Sequence, residues 1–249
     1  MLRTIKLTIE YDGTDFSGWQ IQKNSRTVQD EIEKASKHIF KQPIRLVGSG
    51  RTDSGVHASG QVAHFQTDTK LTNQKICLAL NSRLPCDVVI LTAADVSEKF
   101  HAQYNVKSKV YRYLILNRKI PCALKRNFCA FYPYPLNVNK MRQEAKCLIG
   151  TKDFKSFQAA DPSAQYRQKN TVRQVKRINI RKNEDFVSIE IESNGFLYKM
   201  VRNIVGALLA IGSGQLPEGS IVRILKQKDR RCAPKTAPAK GLCLLEVKY

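Results

Sequence analysis

The stretch "IRLVGSGRTDSGVHASGQVAHFQ", Ile44 to Gln66, joins two apolar runs through a glycine-rich, charged loop. "IRLVG" reads as a strand entering the loop and "QVAHFQ" as a strand continuing from it. Upstream, Thr27 and Asp30 form a helix-capping pattern, and Val28, Ile32, Ala35 and Ile39 recur along one helical stripe. Downstream, "QKICLALNSRL" has helical spacing and "DVVILTAA" reads as a strand. At the start, Ile5, Leu7 and Ile9 alternate with Lys6, Thr8 and Glu10, the pattern of a strand with one buried face. The first hundred residues therefore run β-α-β-β-α-β. The central loop holds four glycines around Arg51 and Asp53, more than a tight turn requires.

A looser version of that order follows. "VYRYLILN" is a strand with Tyr111, Tyr113 and Ile115 on one face, and "NVNKMRQEAKCLIG" is a helix. "VKRINI" and "FVSIEIE" are paired strands around the turn "RKNED". Leu197 to Ile211 carries the clearest helical period, with Gly212 and Gly214 to stop it. A short helix after Glu218 and a last strand, "CLLEVKY", complete the chain. The expected fold is α+β: two ferredoxin-like, RNA-recognition-like halves forming a largely antiparallel mixed sheet with helices packed on one side. The expected halves are residues 1–105 and 106–249, parting near "HAQYNVKSK", where apolar periodicity lapses.

Charge narrows the function. Lys and Arg number 42 against 21 Asp and Glu, a net +21 that points to a polyanionic partner, with nucleic acid first. Two basic runs stand out: Ser163 to Asn183 has seven Lys or Arg and no acid, and Arg223 to Lys240 has seven against Asp229. No apolar run reaches membrane-spanning length, no basic amphipathic helix suggests membrane binding, and the N-terminus lacks a signal-peptide pattern; a cytoplasmic location is expected. The seven cysteines form no C-x-x-C pair and have no histidine at zinc-ligand spacing, so reduced thiols and no structural metal are expected.

Standard phosphate-binding loops and a nucleophile elbow are missing from the sequence. Asp53 before Ser54-Gly55 reads locally as a turn former, and Arg51 as a phosphate ligand or a surface ion-pair partner. Tyr111 reads as a core aromatic, and Trp19 as a packing residue. A metal-dependent nuclease would need clustered acids, and Asp53 has no acidic neighbour within ten residues on either side.

Several blocks, however, are collinear with one family. "GRTDSGVHASGQVAHF" resembles the signature loop of the TruA-type tRNA pseudouridine synthases, commonly G-R-T-D, then Ala or Ser, then G-V-H. "EYDGTDFSGWQIQ", "KVYRYLI", "GFLYKMVRNIVGALLAIG" and "APAKGLCLLEVKY" resemble its other blocks, in the same order. The resemblance implies an isomerase of tRNA uridines at positions 38 to 40 of the anticodon stem-loop, acting as a homodimer without cofactor or metal. It implies Asp53 as the catalytic carboxylate and Arg51 as the arginine that helps turn the base out of the stack. Tyr111 would contact the flipped uracil, and Arg202 would be the basic partner of the carboxylate. Cys243 departs from the pattern, standing where the family often has an aromatic residue. A catalytically silent RNA-binding protein on the same scaffold is the alternative, against which the intact Asp53, Tyr111 and Arg202 argue.

Overall fold

The computed structural model describes residues 2–160 and 170–249. The chain divides into two compact units, Met1–Lys107 with Cys243–Tyr249, and Ser108–Leu242.

The first unit contains β1 (Arg3–Tyr11), α1 (Val28–Phe40), β2 (Val47–Gly48), β3 (His57–Thr67), α2 (Asn73–Asn81) and β4 (Val88–Val96). β1 is central, antiparallel to both β3 and β4, with Ile5 opposite Phe65 and Leu7 opposite Ala63. Ile5, Leu7 and Ile9 are fully buried, as their alternation predicts. The side chain of Thr27 caps α1 by accepting from the Asp30 amide, and Val28, Ile32 and Ala35 face the core. α1 lies on the Phe65 face of the sheet, where the Phe40 ring sits 5.5 Å from that of Phe65.

The strand expected over "IRLVG" shrinks to Val47–Gly48. Ile44 and Leu46 are buried, yet helix side chains take the backbone of Leu46. Its N–H donates to Glu33 Oε1 at 2.9 Å and its carbonyl accepts from Gln29 Nε2 at 3.1 Å. A residue whose polar groups are already satisfied has none left for a ladder.

The second unit contains β5 (Ser108–Leu116), β6 (Ala130–Phe131), α3 (Val138–Lys146), β7 (Gly150–Asp153), β8 (Val172–Asn183), β9 (Phe186–Ser193), α4 (Met200–Gly212) and α5 (Ser220–Gln227). β9 pairs antiparallel with β5 and β8, β8 with β7, and the short β6 runs parallel to β5. α4 starts at Met200 rather than Leu197, because Lys199 takes a left-handed conformation with φ 57°. Every α4 residue except Arg202 is buried, so the helix is enclosed rather than amphipathic. The last strand, β10 (Leu242–Lys248), runs parallel to β3, with Cys243 opposite His57 and Leu244 opposite Ala58. That pairing places Cys243–Tyr249 with the first unit, whereas the sequence reading put them in the C-terminal half. Both units are α+β with largely antiparallel sheets. Among the described residues, no helix is long and apolar enough to cross a membrane.

Candidate active site

The glycine-rich loop is held by the "YDGTDFSGW" turn that follows β1. Trp19 N–H donates to the Thr52 carbonyl at 3.2 Å, and Gly55 N–H to the Phe16 carbonyl at 3.3 Å. Ser54 Oγ also donates to the Phe16 carbonyl, at 3.2 Å. The loop turns on itself through Val56 N–H to the Asp53 carbonyl at 3.2 Å, and Gly55 supplies the positive φ of 75° that this turn needs. Gly18, with φ 100°, lies so close that a Cβ there would stand 2.6 Å from the Thr52 carbonyl oxygen. Within the loop itself, a Cβ at Gly48 would stand 2.6 Å from Trp19 Nε1, so the surplus of glycine reflects close approach of two segments as much as turn geometry.

Behind the loop, Tyr11 Oη and Thr52 Oγ1 share a hydrogen bond of 2.8 Å, and burial pushes the Tyr11 phenol well up. His57 Nδ1 accepts from the Gly13 amide at 3.0 Å and lies 3.1 Å from Asp12 Oδ1. His57 is thereby a structural residue of the loop. Trp19 is buried, its ring 6.2 Å from that of Tyr11. The outcome is a half-buried Asp53 and an exposed Arg51 on a backbone clamped from one side and propped from behind.

Tyr111 and Arg202 belong to the second unit. Tyr111 sits on β5 opposite Ile191 of β9, 8% exposed, with its ring edge-on to Phe196 at 5.1 Å and 89°. Two residues on, Tyr113 Oη donates to the Pro238 carbonyl at 2.8 Å, and burial raises that phenol too. Arg202 is half-buried; its Nε donates to the Ala237 carbonyl at 2.8 Å, while Ala237 N–H returns a bond to the Arg202 carbonyl at 3.1 Å.

The strap carrying Ala237 is secured by a network that the sequence did not reveal. Arg230 donates to the carbonyls of Ala233 at 2.7 Å and Pro234 at 2.9 Å, to Asn203 Oδ1 at 3.0 Å and to Thr236 Oγ1 at 3.1 Å. Thr236 Oγ1 donates to Asn203 Oδ1 at 2.7 Å, and Asn203 Nδ2 to the Phe157 carbonyl at 2.7 Å. Asn203 is fully buried in the first turn of an apolar helix. A buried amide next to a conspicuous arginine was the available signal: a polar residue enclosed among Val201, Ile204 and Val205 has to find partners. Arg230 is thus a structural buckle, unlike the exposed Arg223, Lys226, Lys235 and Lys240 of the same basic run. Of the first run, residues 163–169 lie outside the described residues; on β8, Lys176, Arg177, Arg181 and Lys182 are exposed.

No group of three or more His, Cys, Asp or Glu side chains suited to a metal ion occurs among the described residues. Chemically, the first unit offers a half-buried carboxylate on an anchored backbone and an exposed cation two residues before it, and the second a buried phenol and a guanidinium oriented by backbone.

A family model described as tRNA pseudouridine synthase matches residues 7–105 and 145–249. Arg51, Asp53 and Arg202 fall inside those ranges, and Tyr111 falls between them. The chain is 48% identical over 248 residues to tRNA pseudouridine synthase A of Thermoanaerobacter sp. (strain X514), covering 100% of both chains. It is 45% identical over 249 residues to tRNA pseudouridine synthase A of Ruminiclostridium cellulolyticum, again covering 100% of both. Among solved structures, a Cbf5-Nop10-Gar1 complex matches at 12% identity and a TM-score of 0.38, over 96% of this chain and 57% of that one, too slight a likeness to argue from.

Proposed function

Because the chain belongs to the tRNA pseudouridine synthase family, an isomerase family acting on tRNA, we propose that it converts uridines at positions 38 to 40 of the tRNA anticodon stem-loop to pseudouridine, with Asp53 as the catalytic carboxylate. The observation that carries this reading is the match over the whole chain, which includes a loop whose Thr52 and Gly55, on either side of Asp53, are joined by backbone hydrogen bonds to the Phe16–Trp19 turn. Catalysis gains most when the reacting group is fixed before substrate arrives.

The reaction balances within the nucleotide. The N1–C1′ bond breaks, the uracil turns, a C5–C1′ bond forms, C5 releases its proton and N1 gains one. A single carboxylate suffices because the base never departs, unlike the acid and base pair of a glycoside hydrolase. Asp53 acts either by attack at C1′ or by removing the 2′ proton to give a glycal. Arg51, exposed at the loop, is assigned to turning the base out, and Tyr111 to stacking on it and relaying the C5 proton. Arg202 is assigned as the cation that keeps the carboxylate ionised. The net +21 supports binding through phosphates. We further assign a homodimer, in which one subunit holds the tRNA body while the other receives the stem-loop, working in the cytoplasm.

The test is tritium release from tRNA carrying 5-tritiated uridine, since product and substrate have equal mass. Release mapped to positions 38 to 40 is expected; none with the wild-type protein would overturn the reading. Sedimentation equilibrium tests the dimer.

A further inference from the structure

Tyr104 is 78% exposed, yet its ring is not loose. It stacks on the imidazole of His101 with centroids 4.1 Å apart and planes 18° from parallel. His101 is itself fixed: its Nδ1 accepts from the amides of Gln103 and Tyr104, each at 3.2 Å. Its backbone N–H donates to Asn105 Oδ1 at 2.6 Å, and Asn105 N–H returns to the His101 carbonyl at 3.1 Å. With Nδ1 tied to those two amides, the plane of the supporting ring is set.

The support runs deeper into the first unit. The His64 ring lies edge-on, 5.1 Å from His101 and 5.8 Å from Phe100, and His64 Nδ1 accepts from the Ala102 amide at 3.2 Å. Phe100 packs 4.9 Å from Tyr249, whose hydroxyl donates to the Ala102 carbonyl at 2.7 Å. The register sets Lys6 opposite His64, on the sheet face away from α1, and Lys6 Nζ stands 5.9 Å over the Tyr249 ring. None of this serves the Asp53 loop. It amounts to a tower of rings ending in one phenol ring with an open face, flanked in sequence by exposed Lys99 and Lys107.

We propose that Tyr104, presented on His101, is a stacking platform for an unpaired RNA base, separate from the catalytic loop. An exposed aromatic locked in one orientation loses little freedom when a base settles on it, and every base has a face to offer. The lysines on either side suit the phosphates that accompany such a base. The proposal rests on the tRNA reading above and identifies a contact for that substrate which the reaction itself does not require.

The experiment measures binding of a tRNA transcript by filter retention across a salt series, with turnover by tritium release. Tyr104→Ala is expected to weaken binding about tenfold at every salt concentration, with an unchanged log–log salt slope, because stacking releases no counterions. Tyr104→Phe should stay within about twofold of wild type, whereas in Tyr104→Ala KM should rise while kcat at saturating tRNA holds. Tyr104→Trp should show emission quenched by added tRNA, which a purely structural ring would not. Wild-type affinity in Tyr104→Ala overturns the proposal, as does a loss that appears as a flatter salt slope or as altered sedimentation, which would assign the ring to a phosphate contact or to a second copy of the chain. If the wild-type protein releases no tritium while Tyr104→Ala still weakens tRNA binding, the isomerase reading fails and the platform stands. If turnover is normal and the substitution is silent, the platform alone fails.

Discussion

The Asp53 loop and the strap beside Arg202 both anchor a charged residue, and they do so with different chemistry. Around Asp53 the bonds come from neutral backbone groups of the Phe16–Trp19 turn, and glycine lets two segments nearly touch. Around Arg202 the anchor is a second guanidinium, Arg230, gripping two carbonyls, an amide and a hydroxyl. The first arrangement tolerates little change of backbone shape; the second tolerates little change of side-chain polarity.

The largest effect expected is on chemistry. Asp53→Asn keeps the loop's shape and should lower turnover about 10³-fold or more in the tritium assay, with tRNA affinity within about threefold. Substantial residual turnover would remove Asp53 from its role and reduce the loop to a binding element. Tyr111→Phe leaves the ring to stack but removes its hydroxyl, and a fall in turnover of about 10²-fold is expected; full activity would make the ring a platform only.

Two substitutions set the two anchoring modes against each other. Gly18→Ala forces a side chain into a left-handed backbone position 2.6 Å from the Thr52 carbonyl oxygen. It should displace the loop and cost about 10²-fold in turnover. Asn203→Ala strips one acceptor from Arg230 and the donor to the Phe157 carbonyl, in a fully buried position. Chemical denaturation should register a loss of about 2–3 kcal/mol. Were Asn203→Ala neutral in stability, the buckle would be incidental, and the contrast between the two regions would collapse.

The smallest effect is expected at a solvent-facing counterpart of the buckle. Arg3 donates to Asp95 Oδ1 at 2.8 Å, to Asn73 Oδ1 at 3.1 Å and to the carbonyls of Thr69 and Leu71. The hydrogen bonds from Arg3 and Asn73 hold the Asp95 carboxyl down to about 2. A depressed folded value stabilises the protein above the unfolded carboxyl pKa of about 3.9 and loses that contribution as pH falls through about 2. Asp95→Asn should therefore slightly flatten the acid side of the stability profile between those limits and leave neutral pH nearly unchanged, because solvent screens exposed pairs. A large drop at pH 7 would show that an exposed guanidinium cluster counts for as much as the buried one.

Much of this organisation was legible in the chain. The alternation of Ile5, Leu7 and Ile9, the Thr27 cap and the helical run ending at Gly212 are short-range patterns, and each produced its element. Asp53, Arg51, Tyr111 and Arg202 are singled out only by resemblance across collinear blocks; local pattern alone reads Asp53 as a turn residue, and it is indeed in one. The sequence by itself settled the α+β class, the basic character and the family. Tertiary structure alone decided that Leu46 leaves its strand for Gln29 and Glu33, partners 17 and 13 residues away. It also decided that Arg230 bonds Asn203 rather than facing solvent, and that β10 returns to pair with β3. Periodicity and capping act within a few residues and leave a mark in the chain, whereas a hydrogen bond to a distant segment depends on where folding brings that segment, and neither partner's neighbours announce it.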